Sequence, residues 1–353
     1  MHIALAFNQR AEEDDQPPAT GLPHPRQHDL YAEWDDSSTI QAVAAALAEQ
    51  HRVSLVHADL DAFEQLRALR PELVFNMSEG LYGASREAQI PALLDMLQIP
   101  YTGSDPLTLG LCLDKRRTKE ILAYHRIPTP DFIQLRRADR LPDRFRFPLL
   151  VKPALEGSSK GIRDASLVHT PRQLQQQLDR VWSEYRQPAL VEEFLDGREF
   201  TVALIGNGAA LQVLPIVEID FSSLPAGANP IYSYEAKWLW DTDSDPLRIF
   251  HCPARLEPLL QRNIEELCRK TFRHLGCRDW CRIDVRLDSG GHPQIIEVNP
   301  LPGVLPRPEQ NSCFPKAARA AGLSYAQMIL SVVNAASRRL GLVEKSDACR
   351  SLL

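Results

Sequence analysis

The runs Cys281-Arg282-Ile283-Asp284-Val285-Arg286-Leu287-Asp288 and Gln294-Ile295-Ile296-Glu297-Val298-Asn299-Pro300, separated by a segment holding Gly290-Gly291, carry more information than any other part of the chain. Both runs alternate as half-buried strands do. Both glycines tolerate the positive φ of a two-residue hairpin turn. Such a turn sets Asp284 directly across from Glu297, with Asn299 diagonal to it, so three oxygen-bearing side chains share one face. Ile283, Val285, Leu287, Ile296 and Val298 are expected on the other face, toward a core.

Carboxylates this close repel unless a proton or a cation intervenes. A hard divalent ion, Mg²⁺ above all, suits oxygen donors and usually arrives with substrate phosphates. An ordinary solvated face would show the same alternation, so the rest of the chain has to decide.

At 353 residues the chain can hold two or three domains with substantial cores. The 24% charged and 44% hydrophobic content is that of a globular enzyme, and the net charge of −6, without basic runs, speaks against nucleic-acid or anionic-membrane partners. No run is long and apolar enough to span a membrane, and residues 1–7 lead into Asn8-Gln9-Arg10 without a signal-peptide pattern, so a cytoplasmic protein is expected. Seven scattered cysteines suggest neither a disulfide framework nor, at Cys277 and Cys281, a zinc site.

Residues 2–7, 53–57 and 73–76 read as strands and 39–48 as a helix capped by Ser37 or Ser38, an alternation that implies a parallel α/β unit. Residues 9–36, rich in Asp, Glu, Pro and Gln, read as a long loop ordered by a ligand or partner. Helices are expected over 92–97, 113–124, 171–185 and 256–275, the last ended by Gly276. Extended segments are expected over 149–152, 190–193 and 200–205, with 211–219 as partner of the last. Lys152 precedes the small-residue loop Glu156-Gly157-Ser158-Ser159-Lys160-Gly161, whose N–H groups and hydroxyls could cradle phosphate oxygens. It is not a P-loop, because the Gly-x-x-x-x-Gly-Lys order is absent.

From about Val74 to Ala336 the chain resembles the D-alanine–D-alanine ligase family of the ATP-grasp superfamily. The resemblance rests on Pro100-Tyr101-Thr102-Gly103-Ser104, Asp114-Lys115-x-x-Thr118-Lys119, Ile127-Pro128-Thr129-Pro130, Val151-Lys152-Pro153-x-x-Glu156-Gly157-Ser158-Ser159-x-Gly161-Ile162, Val191-Glu192-x-Phe194-x-x-Gly197-Arg198-Glu199, Tyr234-Glu235-Ala236-Lys237, Arg282-Ile283-Asp284 and Glu297-Val298-Asn299-x-x-Pro302-Gly303. It implies an α/β protein, α+β in its ATP-binding half. The expected parts are a parallel N-terminal domain (1–103), central (104–191) and C-terminal (192–338) ATP-grasp subdomains with nucleotide between them, and a tail (339–353).

The resemblance also implies roles. Lys115 and Lys152 would touch ATP phosphates, under a closing loop of Glu156, Ser158 and Ser159. Glu192 would accept from the adenine amino group, the backbone near Glu193 and Leu195 would read the ring edge, and Glu199 would bind ribose hydroxyls. Lys237 would reach the γ-phosphate. Asp284, Glu297 and Asn299 would hold two Mg²⁺ ions, with Mn²⁺ as a substitute, and Arg282 and the Gly303 N–H would stabilise an oxyanion. Glu33, Ser37, Trp238 and Ser312 would meet amino-acid-like substrates. A homodimer is a further implied expectation.

The chain departs from the family where substrates bind. The Gly-rich turn after the first strand is replaced by the 9–36 loop, the usual histidine before a glycine is absent from Phe75-Asn76-Met77-Ser78-Glu79-Gly80, and Trp238 stands where tyrosine is common. After Gly303 a longer segment, 304–313, replaces a short one. The leading reading is an ATP-dependent carboxylate–amine ligase working through an acyl phosphate, with D-alanyl-D-alanine synthesis for the cell wall as the default. Its rivals are an amino-acid or dipeptide ligase of specialised metabolism and a non-catalytic ATP-binding regulatory protein.

Overall fold

A computed structural model describes residues 1–10, 29–241 and 247–342. In the first part β1 (His2–Phe7), α1 (Ser37–Ala48), β2 (Arg52–His57), α2 (Ala62–Leu69), β3 (Leu73–Met77) and α3 (Gln89–Leu97) alternate, and the strands form a parallel sheet in the order β2-β1-β3. β1 and β3 are buried throughout, which is why both are dominated by apolar residues. The cap of α1 is Asp36 rather than either serine. Asp36 sits in extended backbone just outside the helix, and its carboxylate accepts from the Thr39 N–H at 2.6 Å while complementing the helix dipole. Of the acidic loop, residues 11–28 lie outside the described residues, and 29–36 turn back to bridge Gln9 with Asp35.

The helix expected over 113–124 is α5 (Lys115–Tyr124), and a further helix, α4 (Pro106–Leu113), precedes it. Asp114 separates them and caps the second through the Arg117 N–H. Next come β4 (Phe132–Leu135), β5 (Leu149–Pro153), β6 (Leu167–Val168), α6 (Pro171–Tyr185) and β7 (Ala189–Glu193), an antiparallel sheet ordered β4-β7-β5-β6 with α6 packed on it.

The third unit contains β8 (Glu199–Ile205), β9 (Gln212–Val213), β10 (Val217–Ile219), β11 (Phe250–His251), α7 (Pro258–His274), β12 (Trp280–Leu287) and β13 (Pro293–Asn299). Its sheet runs β11-β10-β8-β12-β13, with β9 also on β8. The strand expected over 211–219 is split at 214–216, where Pro215 has no N–H for the ladder. α8 (Cys313–Ala320) and α9 (Tyr325–Leu340) close the chain, and α9 packs along α1. No helix among the described residues is long and apolar enough to cross a membrane.

The hairpin β12–β13 departs from the expected turn and still delivers the expected register. Leu287 pairs with Pro293, and the loop Ser289–Gly291 has three residues, with Gly291 alone of its two glycines at positive φ (79°). A bulge at Ile296 then restores the count, so Asp284 faces Glu297 and Arg282 faces Asn299. The bulge exchanges two neighbours: Ile295 is buried in the core, whereas Ile296, expected there, lines the cavity.

Two residues at the start of β12 fasten the units together. Asp279, fully buried, accepts from the Gly103 N–H (2.8 Å), Asn207 Nδ2 (2.7 Å) and Arg339 (2.7 and 3.0 Å). Trp280, 1% exposed, meets Phe75 of β3 and Phe314 of α8 edge-on, both at 5.6 Å between ring centres. Truncating such a ring costs about 3–5 kcal/mol, so the strand that carries Arg282 and Asp284 is anchored against β3 and against the two C-terminal helices that supply Phe314 and Arg339.

Candidate active site

The polar face of the hairpin looks across to α5. Asp284 is held by Arg282 at 2.9 and 3.1 Å and accepts from Asn299 Nδ2 at 3.2 Å. Glu297 meets Lys115 Nζ at 2.6 Å, at the N-terminal turn of α5. Burial opposes the Glu297 charge, but Lys115 and Lys152 more than offset it and hold the carboxyl at about 2. The donors are two carboxylates and an amide oxygen, hard ligands of the kind Mg²⁺ takes. Among the described residues no group of three or more His, Cys, Asp or Glu side chains gathers for a metal. The donor set fits the hard ion rather than a thiolate or imidazole site.

A cavity between the two antiparallel sheets is lined by Lys152, Ser158, Ser159, Glu192, Glu193, Phe194, Leu195, Glu199, Lys237, Arg282, Asp284, Arg286, Ile296 and Glu297. Its buried charges are wired in pairs. Glu192 binds Lys119 and Lys152, each at 2.6 Å, and Glu199 binds Arg286 at 2.8 Å. Burial lowers Lys119 to about 8, whereas Lys152 is raised because the Glu192 and Glu297 carboxylates outweigh its desolvation. Burial, with Arg282 nearby, also lowers Lys237 to about 8.

The loop after β5 closes one side. Ser158 and Ser159 both take left-handed backbone, φ 50° and 59°, a conformation that costs about 1–2 kcal/mol per residue outside glycine. It is held from across the cavity: Ser159 Oγ donates to the Tyr232 carbonyl (2.9 Å) and the Trp238 indole to the Ser158 carbonyl (3.5 Å). Gly157 donates its N–H to Glu33 at 2.7 Å, and a Cβ there would stand 2.8 Å from that carboxylate.

Beyond Arg282 the cavity continues toward the first domain, lined by Glu33, Asp35, Glu79, Glu87, Lys115, Gly157, Ser158, Lys237, Trp280, Arg282, Glu297, Asn299 and Gly303. Glu33 is paired with Arg86 at 2.6 and 2.8 Å. A Cβ on Gly303 would meet nothing within 4 Å, so this residue borders open space. A side branch is lined by Arg10, Trp238, Asp241, Glu309, Asn311 and Ser312, with the Arg10 guanidinium 4.9 Å above the Trp238 ring.

Three of the expected residues are placed otherwise than expected. The Glu156 carboxylate lines none of these cavities and is taken by Lys160 (2.9 Å), Gln187 (2.8 Å) and Arg86 (3.4 Å). Ser37 is the first residue of α1 and stands outside all three cavities. Ser312 Oγ holds the 304–313 segment, donating to the Gly303 carbonyl (3.2 Å) and accepting from the Leu305 N–H (3.3 Å). Sequence reasoning missed Lys119, Arg286 and Arg86. The first two carry a signal, because Lys119 lies one helical turn after Lys115 and Arg286 alternates onto the face of Asp284. The six cysteines among the described residues are free.

A family model for the D-ala D-ala ligase C-terminus matches residues 121–334. A protein of Sinorhizobium fredii described as uncharacterized is 38% identical over 315 residues, 87% of this chain and 89% of its own length. The D-alanine–D-alanine ligase of Pelotomaculum thermopropionicum is 33% identical over 316 residues, covering 86% of this chain and 92% of that one. The D-alanine–D-alanine ligase of Bordetella petrii is 35% identical over 276 residues, 77% and 78% of the two chains. In fold, the chain superposes on the D-alanine–D-alanine ligase of Bacillus anthracis complexed with ATP with a TM-score of 0.70 at 23% identity, over 97% of this chain and 99% of that one. The chain therefore belongs to the D-alanine–D-alanine ligase family of ATP-grasp enzymes, ligases that form carbon–nitrogen bonds.

Proposed function

We propose that the chain joins the carboxylate of one amino-acid-like substrate to the amine of a second, using ATP and Mg²⁺. The observation that carries this reading is the hairpin register, which sets Arg282, Asp284, Glu297 and Asn299 on one face between two lined cavities. ATP would lie between the antiparallel sheets, with Lys115 and Lys152 toward its phosphates, Glu192 and the backbone near Glu193 and Leu195 at the base, Glu199 at the ribose and Lys237 toward the γ-phosphate. Lys115 and Arg282, now held by Glu297 and Asp284, would exchange those carboxylates for phosphate or carbonyl oxygens. The carboxylates so released, with Asn299, would hold Mg²⁺. Bound there, the metal supplies positive charge to the phosphates.

In the first step the substrate carboxylate attacks the γ-phosphorus, the bond to ADP breaks, and an acyl phosphate forms; Lys237 and Lys152 balance the charge of the transferring group. The amine then attacks the acyl carbon, and the C–O bond to phosphate breaks. Arg282 and the Gly303 N–H face the oxyanion, and the amine's proton leaves with phosphate or water.

The test incubates purified protein with Mg-ATP and pools of D- and L-amino acids, measuring phosphate release and product mass. Amino-acid-dependent phosphate with a new amide is expected. Tight ATP binding without substrate-dependent phosphate would contradict the reading.

A further inference from the structure

Glu33, Asp35, Glu79 and Glu87 line the cavity, and the last three have no cation in ion-pair contact among the described residues, although Arg86 and Lys115 act on Glu87, and Arg86 on Glu79, from farther off. Glu33 has Arg86. The carboxylates of Asp35, Glu79 and Glu87 make no hydrogen bond or ion pair with any described residue, although Glu87 is only 8% exposed and lines the cavity. Burying an unpaired carboxylate is costly unless a ligand supplies the opposite charge. Burial is the main reason that Asp35 rises to about 7, Glu87 to about 8, and Glu79 well above the carboxylate range; neighbouring acids add to it. Among the described residues no three of these acids come together as a metal-ion site. Carboxylates without a cation in contact suit a ligand that brings cationic groups of its own.

The same cavity also presents Lys115, Lys237 and Arg282. An amino acid with its carboxylate at these cations and its α-ammonium at Glu33 would leave the remaining acids unanswered. Resting on the ligase reading above, we infer that the substrate whose carboxylate is activated is a diamino or other basic amino acid, its second cationic group held by Glu79 and Glu87 with Asp35 beside them.

The test needs no acceptor amine. The full-length protein is incubated with Mg-ATP, hydroxylamine and one amino acid at a time; hydroxylamine attacks the acyl phosphate, and hydroxamate and phosphate are measured. The probes are diaminopropionate, ornithine, lysine and arginine, each as both enantiomers, against alanine, norvaline and norleucine. At least one basic probe is expected to exceed the neutral probe nearest in length by at least about tenfold in kcat/KM, because a buried group left unpaired rejects the ligand that cannot answer it. Glu87→Gln and Glu79→Gln are each expected to lower that ratio. If Glu87→Gln is unfolded by circular dichroism, Asp35→Asn decides by the same ratio. A neutral probe used as well as the basic ones would overturn the inference and leave the ligase reading standing. So would variants that slow basic and neutral probes in equal proportion, since the acids would then serve the chemistry rather than selection. Hydroxamate from no amino acid would sink the ligase reading and this inference together.

Discussion

Between the two antiparallel sheets every buried lining carboxylate has a cation within 3 Å: Glu192 with Lys119 and Lys152, Glu199 with Arg286, Asp284 with Arg282, Glu297 with Lys115. In the cavity lining that the first domain supplies, Asp35, Glu79 and Glu87 have none among the described residues. The first arrangement suits a ligand that brings both signs of charge, a polyanion with its counter-ion, because each pair can part and find a new partner. The second suits a ligand that brings net positive charge. The paired region is the one proposed above for the nucleotide; the unpaired one lies where the family's substrate motifs are missing.

Breaking the paired region should have the largest effect. Asp284→Ala and Glu297→Ala are each expected to lower kcat by about 10³-fold or more, as loss of a metal ligand at a phosphoryl-transfer centre does, with an unchanged circular dichroism spectrum. Arg282→Lys keeps a charge but loses the planar fork that grips Asp284, and a fall in kcat of about 10²-fold is expected in steady-state assays. Glu199→Gln should act on binding instead. It is expected to raise KM for ATP by about tenfold with little change in kcat, the mark of an interaction equal in ground and transition states.

The unpaired region should answer more quietly, through stability and pH. Folded Glu87 holds its proton up to about pH 8 against an ordinary value of 4.5. The stability linked to that carboxyl is therefore full below about pH 4.5 and is lost as pH rises toward 8. Glu87→Gln, which cannot ionise, should thus gain steadily on the wild type from pH 5 to pH 8 in ligand-free protein. Thermal melts across that range would check it, and a constant difference at every pH would show that Glu87 is already compensated.

How much of this was legible in the sequence follows the same division. The trio Asp284, Glu297 and Asn299 could be placed from alternation alone, because strand period and cross-strand pairing are local rules. Even so, the expected two-residue turn and the observed three-residue loop differ by one residue, and only the bulge at Ile296 brings Glu297 back opposite Asp284. The price of that compensation is one misassigned side chain, Ile296. The helix start at Ser37 was blurred because Asp36, Ser37 and Ser38 are all good caps, and φ and ψ decide among them. Arg86 and Glu87 gave no signal at all: adjacent charged residues ahead of α3 read as surface, and only the tertiary fold turns one toward Glu33 and the other into the cavity.

The central claim is that the hairpin's carboxylates are partners of a nucleotide with its metal, now balanced by the protein's own cations. Calorimetric titration of Mg-ATP into the wild type and into the Asp284→Ala, Glu297→Ala double variant, each with and without a chelator, tests it most directly. The wild type should bind only weakly once the metal is removed, and the double variant should show no metal dependence. Equal affinity with and without Mg²⁺ in the wild type would contradict the account.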